Sequence, residues 1–311
     1  MINQINYFSR FIREKVGKKY PKTFTIETVL GCNLRCPECA LGGEYITRER
    51  GYMSFDRFKI IADKIRPYAE YLYLHMWGEP LLNKDIFQII EYASQFARTN
   101  ISTNGMLVTE EVANNLVEAG TSDIIVSIDG MTQEIYELYR KGGNVEQALL
   151  ALKYIVEAKK KYCSKVNIVP QFIVFEHNQS EMDAFKRYCE RLGVQAVFKA
   201  PYIRQGGIFK NSSLEKYIRT PFCDKDKYEK AILNCDAFFC EFTIDISGNV
   251  ILCCYDANSE IIFGNIFEQT VDEIYYGENR QKFLENVKER KLCPDFCKNN
   301  CLLYTLSSTV I

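Results

Sequence analysis

Apolar and β-branched positions come in short runs between residues 24 and 199, and between the runs apolar residues recur every three or four positions. The runs predict strands at 24–30, 70–76, 98–103, 123–129, 166–175 and 194–199. The helical spacing predicts helices near 54–66, 84–97, 109–119, 132–160 and 179–192, the long one broken at Gly142-Gly143. Ser54 and Thr109 stand where side chains cap helix N-termini, and Gly120 and Gly193 stand where helices end. Repeated strand–helix units imply a parallel sheet with right-handed crossovers. The fold class expected is α/β, a partial (β/α)6 TIM-like barrel open on one side, with chemistry at the C-terminal ends of the strands.

The flanks read differently. Residues 1–22 have helical spacing and form an expected N-terminal capping helix before a barrel spanning 23–200. Residues 201–234, with Gly206-Gly207 and Asn211-Ser212-Ser213, are a linker across the open side, within reach of substrate. In 235–311, two alternating runs around Ser247-Gly248-Asn249 predict a β-hairpin, followed by a helix from about Val271 to Lys288. This makes a small C-terminal domain.

Composition narrows the class. A chain of 311 residues, 47% hydrophobic and 25% charged, has ample core for one large or two unequal domains. The net charge of −1 gives no field that would steer nucleic acid or an anionic membrane toward it. Neither an apolar run of about 18 residues nor a signal-peptide pattern is present, so a cytoplasmic protein is expected. Thirteen cysteines are not expected to pair there, because the cytosol keeps thiols reduced. Three cluster at Cys32, Cys36 and Cys39, seven lie between Cys235 and Cys301, and Cys163, Cys189 and Cys223 stand apart. Clustering at the two ends points to metal centres.

The stretch Cys32-Asn33-Leu34-Arg35-Cys36-Pro37-Glu38-Cys39 places three thiols in eight residues, just after the first strand. Thiolates suit iron–sulfur clusters or zinc. A zinc knuckle with a remote fourth ligand is one reading. The other is a [4Fe–4S] cube whose fourth iron is left open. The Cys-x3-Cys-x2-Cys spacing resembles the cluster motif of the radical S-adenosylmethionine (SAM) enzymes. In that family the open iron chelates SAM, and an electron from the cluster yields a 5′-deoxyadenosyl radical that abstracts hydrogen from substrate. His75-Met76-Trp77-Gly78-Glu79-Pro80 resembles the family's Gly-Gly-Glu-Pro motif, with Trp77 in place of the first glycine. The resemblance implies that Gly78, Glu79 and Pro80 hold the methionine amino group of SAM. It also makes Ser102 and Asn104 after the third strand, and Ser127 and Asp129 at the end of the fourth, candidates for the SAM site. Arg140 is a candidate carboxylate clamp, or else a solvated helix-end arginine.

The C-terminal pattern, Cys240, then Gly248 and Cys253, then Cys293, Cys297 and Cys301, resembles the SPASM domain appended to many of these enzymes. The resemblance implies one auxiliary [4Fe–4S] cluster held by Cys240, Cys253, Cys297 and Cys301, with Cys235, Cys254 and Cys293 competing, and zinc as the alternative. A substrate radical then either loses an electron to that cluster or takes hydrogen from a thiol, for which Cys223 and Cys235 are candidates. The expected function is oxidation or epimerisation of a sugar or peptide, with electrons from a flavodoxin- or ferredoxin-type donor. No room for a peptide-leader domain is expected before Phe24, so a partner would recognise any leader. The alternative class is a non-catalytic electron carrier or zinc-stabilised scaffold.

Overall fold

A computed structural model describes residues 20–201, 203, 207–214 and 241–288. The chain enters through β1 (Thr23–Ile26), β2 (Val29–Leu30) and β3 (Gly51–Tyr52). The run expected as one strand at 24–30 is therefore two. Between them Glu27 and Thr28 are fully buried. Thr28 donates its hydroxyl to Leu74 O at 2.8 Å, and β2 turns away to pair antiparallel with β3. Then follow α1 (Phe55–Ile65), β4 (Tyr71–Tyr73), α2 (Ile86–Ser94), β5 (Arg98–Thr103), α3 (Glu110–Glu118) and β6 (Asp123–Ser127). Next come α4 (Gln133–Tyr139), α5 (Val145–Lys161), β7 (Asn167–Ile173), α6 (Met182–Leu192) and β8 (Val197–Lys199).

The helices form where capping and periodicity placed them. In α1 Phe58, Ile61, Ala62 and Ile65 share one buried face, and Ser54 Oγ accepts from Arg57 N at 3.4 Å. Thr109 caps α3 in the same way, through Val112 N at 3.2 Å. The long helix is two, because Gly142 takes φ +80° and Asn144 opens α5 by accepting from Gln147 N at 2.8 Å. Tight packing of α5 against the turn after β5 requires Gly105, where a Cβ would stand 3.0 Å from Ala151 Cβ.

Six strands, β1, β4, β5, β6, β7 and β8, run parallel in that order, giving the partial (β/α)6 barrel. The sheet does not end at β1. The hairpin strands β9 (Glu241–Ile244) and β10 (Asn249–Ile251), with β11 (Ile262–Asn265), extend it to nine strands among the described residues, and β9 pairs parallel with β1 from Thr23↔Glu241 to Ile26↔Ile244. The helix expected over 271–288 is α7 (Val271–Tyr275) and α8 (Glu278–Lys288), separated at Gly277. Of the capping helix expected over 1–22, only residues 20–22 are described.

Alternation divides the barrel strands. Phe24, Ile26, Leu72, Leu74, Ile101, Ile124, Val126 and Phe172 join the core beneath the helices. The other face is mixed, with Ile125, Val169 and Ile173 set among polar residues. At the N-terminal ends of the strands Tyr71 O–H donates to Asp123 Oδ2 at 3.0 Å, Asn100 donates to Tyr71, and Asn167 and Arg98 donate to Asp123. Above this floor the rings of Tyr71, Tyr73 and His75 climb in steps of 5.0 and 5.8 Å.

Candidate active site

The loops leaving β2, β4, β5 and β6 meet around the first three cysteines. Glu79 N donates to Gly31 O at 2.9 Å, which fastens the loop after β4 to the start of the cysteine loop. Gly78 makes this approach possible, since a Cβ there would stand 2.4 Å from Val29 O and 2.8 Å from Gly31 O. Pro80 opens a turn of 3-10 helix behind it. The buried Glu79 carboxylate accepts from Thr103 Oγ1 and Asn104 N, each at 2.7 Å, and from Leu81 N at 3.3 Å. Burial nevertheless raises its pKa to about 7, outweighing those donors. Glu79 thus binds two barrel loops together.

Asn104 completes the junction. Its Nδ2 donates to Asn33 Oδ1 at 2.8 Å and lies 3.7 Å from Cys32 Sγ. Leu34 N also donates to Cys32 Sγ, at 3.4 Å. Cys36 is buried beside Leu34, Tyr139 and Phe175, with the half-buried Cys32 and Cys39 packed against the same cluster. Burial pushes the Cys36 thiol up to about 12 and raises Cys32 as well.

Arg140 is no solvated helix end. Its Nε pairs with Asp129 Oδ2 at 2.5 Å, and its Nη1 lies 3.8 Å from Cys36 Sγ. Asp129 is fully buried, and its Oδ1 accepts from Ile173 N at 2.6 Å. Burial opposes the Arg140 charge, yet Asp129 and Cys36 hold its pKa well above the usual value. The guanidinium thus delivers a fixed positive charge to the cysteine cluster. Of the remaining sequence candidates, Ser127 is buried at the end of β6 opposite Gln171, and Ser102 is half-buried on β5 opposite Ile125.

Sequence reasoning missed Glu38, although it sits inside the cysteine motif. Its buried carboxylate accepts from Ile208 N at 2.9 Å and Phe209 N at 3.2 Å. Phe209 packs against Tyr139 and Phe175, so this part of the expected linker closes one side of the cysteine cluster. Asn33 stands in the cysteine motif without an assigned role, and Thr103, between two candidates, was passed over. At the second site Cys253 is buried and Cys254 half-buried just after β10. Cys223, Cys235, Cys240, Cys293, Cys297 and Cys301 lie outside the described residues.

The donor set fits an iron–sulfur cluster. Three thiols share one partly apolar cluster, a guanidinium offsets the negative charge of thiolate ligation, and buried thiols give up their protons on metal binding.

A half-barrel with such a cysteine loop at its strand ends defines a radical SAM enzyme. Residues 26–181 match the family model of the Radical SAM superfamily, and residues 235–302 match the SPASM model, an iron–sulfur cluster-binding domain. The chain belongs to the radical SAM superfamily, and its cofactors are SAM, a SAM-binding [4Fe–4S] cluster and auxiliary [4Fe–4S] chemistry in the SPASM region. It is 26% identical over 192 residues to the mycofactocin maturase MftC of Mycobacterium tuberculosis, covering 61% of this chain and 47% of that one. It is 28% identical over 184 residues to a probable GTP 3′,8-cyclase of Methanocaldococcus jannaschii, covering 58% and 59%. The matches thus take in about half the length of these curated relatives. Among solved structures, Streptococcus suis SuiB bound to S-adenosylmethionine superimposes with a TM-score of 0.67 at 14% identity, covering 94% of this chain and 76% of that one. Native anSMEcpe with bound AdoMet gives 0.60 at 18%, covering 93% and 92%. BtrN in complex with AdoMet and 2-DOIA gives 0.56 at 20%, covering 91% and 93%. At these identities the likeness is one of fold. No helix among the described residues is long and apolar enough to cross a membrane.

Proposed function

We propose that this chain abstracts hydrogen from a polar substrate, a sugar or a peptide, and carries it on to an oxidised or epimerised product. The observation that carries the reading is the knot of Gly31, Gly78, Glu79 and Asn104, which holds three cysteines at the mouth of the half-barrel. Cys32, Cys36 and Cys39 hold the cluster. The main chain at Gly78-Glu79-Pro80, with Ser102, Asn104 and Ser127, lines the adjoining SAM site. Arg140, oriented by Asp129, supplies positive charge beside Cys36. When bound, the cluster supplies the electron that cleaves SAM to methionine and a 5′-deoxyadenosyl radical.

The barrel face below offers hydrogen-bonding groups to a substrate. His75 Nδ1, at the head of the ring ladder, and Asn100 Oδ1 are both buried without a partner. Buried polar atoms left open in this way favour a ligand rich in hydroxyl or amide donors. The relatives that are called maturases support the peptide option. Cys240, Cys253, Cys297 and Cys301 are assigned to one auxiliary cluster, and Cys223 and Cys235 to hydrogen return. The barrel is assigned to 23–200 and the auxiliary domain to 235–311, with a flavodoxin- or ferredoxin-type donor.

Anaerobically reconstituted protein with dithionite and SAM should release 5′-deoxyadenosine, and Cys36→Ala should abolish that release. Retained cleavage in Cys36→Ala removes the assignment. With a turned-over substrate in D2O, one solvent deuterium at otherwise unchanged mass marks epimerisation, and loss of two hydrogens marks oxidation.

A further inference from the structure

We propose that the segment 44–48 is a latch that fixes the SPASM cysteine loop against the SAM-cluster loop, with Arg48 and Asn258 as its positioning residues. The inference rests on the reading that Cys253 or Cys254 ligates an auxiliary cluster.

The chain leaving Cys39 is wound back on itself, with Gly43 N donating to Cys39 O at 2.8 Å and Tyr45 N to Ala40 O at 2.9 Å. Directly beyond, it meets a segment more than 200 residues away in sequence. Thr47 N donates to Asn258 Oδ1 at 2.8 Å, the Thr47 hydroxyl reaches the same oxygen at 3.2 Å, and Asn258 Nδ2 donates to Tyr45 O at 3.2 Å. Arg48 Nε donates to Ala257 O at 2.8 Å. Its two terminal nitrogens grip the fully buried Glu27 at 2.8 and 3.0 Å, and Nη1 lies 3.9 Å from Asp245. Glu27 in turn accepts from Ile246 N at 3.2 Å, so one carboxylate and one guanidinium tie together the β1–β2 junction, the cysteine loop and the hairpin turn.

The far side of the latch is stiff as well. Asp256 N donates to Cys253 O at 3.0 Å, and the buried Asp256 carboxylate accepts from Glu260 N and Ile261 N at 2.8 and 2.9 Å. Holding Ala257 and Asn258 therefore holds Cys253 and Cys254. Two loops, each rigid internally, are joined at residues that ligate nothing themselves. Their function is then to set the relation between the two metal centres, on which electron transfer out of a substrate radical depends.

The test uses Asn258→Ala, which spares the buried Arg48–Glu27 pair, and Arg48→Lys, which keeps a charge facing Glu27 while losing the bond to Ala257. In metal-free protein, amide exchange over 253–259 should quicken by about tenfold or more, from the loss of two or so hydrogen bonds. Exchange in β5 should stay as it was. In cluster-loaded protein, SAM cleavage without substrate should remain within about twofold of the parent, while the paramagnetic relaxation between the two reduced clusters changes. Unaltered exchange at 253–259 overturns the latch, and so does altered exchange with unaltered relaxation. Parent protein that loads one cluster only overturns the auxiliary-cluster reading, and the exchange result still decides whether the contacts hold the loop.

Discussion

Replacing Asp129 by Asn should be among the most damaging single changes in the barrel. The carboxylate is fully buried, and the Arg140 side chain it pairs with is 12% exposed. The amide keeps an oxygen for Ile173 N but leaves the guanidinium without its counter-charge. An ion left unpaired in such surroundings costs about 3–5 kcal/mol. For a chain of 311 residues that corresponds to a fall in Tm of roughly 5–8 °C. Asp129→Asn combined with Arg140→Met removes both charges, keeps an oxygen for Ile173 N, and should recover most of the loss, because an uncharged, well-packed pair is about as stable as a buried ion pair. The assay is thermal and urea unfolding of the metal-free protein. Asp129→Asn as stable as the parent, or a double variant as unstable as the two single losses summed, would refute the argument. The recovered double variant should still differ from the parent after reconstitution. With no guanidinium 3.8 Å from Cys36 Sγ, its cluster should be reduced at a more negative potential.

Gly78→Ala should loosen the junction without unfolding the barrel, since its Cβ would lie 2.4 Å from Val29 O. A loss of about 1–3 kcal/mol and at least tenfold weaker SAM binding by isothermal titration are expected, and parent-like affinity would contradict the close-approach argument. Burial depresses His75 from 6.5 to about 4, so its ring is neutral in the folded chain and takes a proton far more readily when unfolded. That contribution to stability is complete above about 6.5 and is lost as pH falls toward about 4, amounting to about 2–3 kcal/mol at the lower end. Histidine-ring NMR can follow it directly, because the chain has 2 histidines. A His75 midpoint near 6, or an acid limb of stability unchanged in His75→Gln, would contradict it.

What the sequence made legible was what repeats or punctuates. The caps at Ser54 and Thr109 and the stop at Gly193 are local hydrogen-bonding and φ effects, so they can be read without knowledge of the neighbours. The cysteine spacing was equally local. Glu38 was not legible, because a carboxylate between two cysteines reads as solvated until the chain returns at Ile208 and Phe209. Arg140 was half legible. Its place after the fourth strand suggested a site, whereas its pairing with Asp129 depends on how α4 folds back. The split of the first predicted strand turns on Glu27, whose partner Arg48 lies outside the periodic pattern.

The parallel pairing of Glu241–Ile244 onto Thr23–Ile26 also bears on how the molecule comes into being. Among the described residues, the edge of β1 away from β4 is covered by residues made more than 200 positions later. Until then that edge offers unpaired amides and carbonyls to any other extended chain. Ribosome-bound or truncated products lacking the hairpin should therefore rely on chaperones and self-associate through this edge. Assembly of the complete sheet should be slow, limited by that long-range closure.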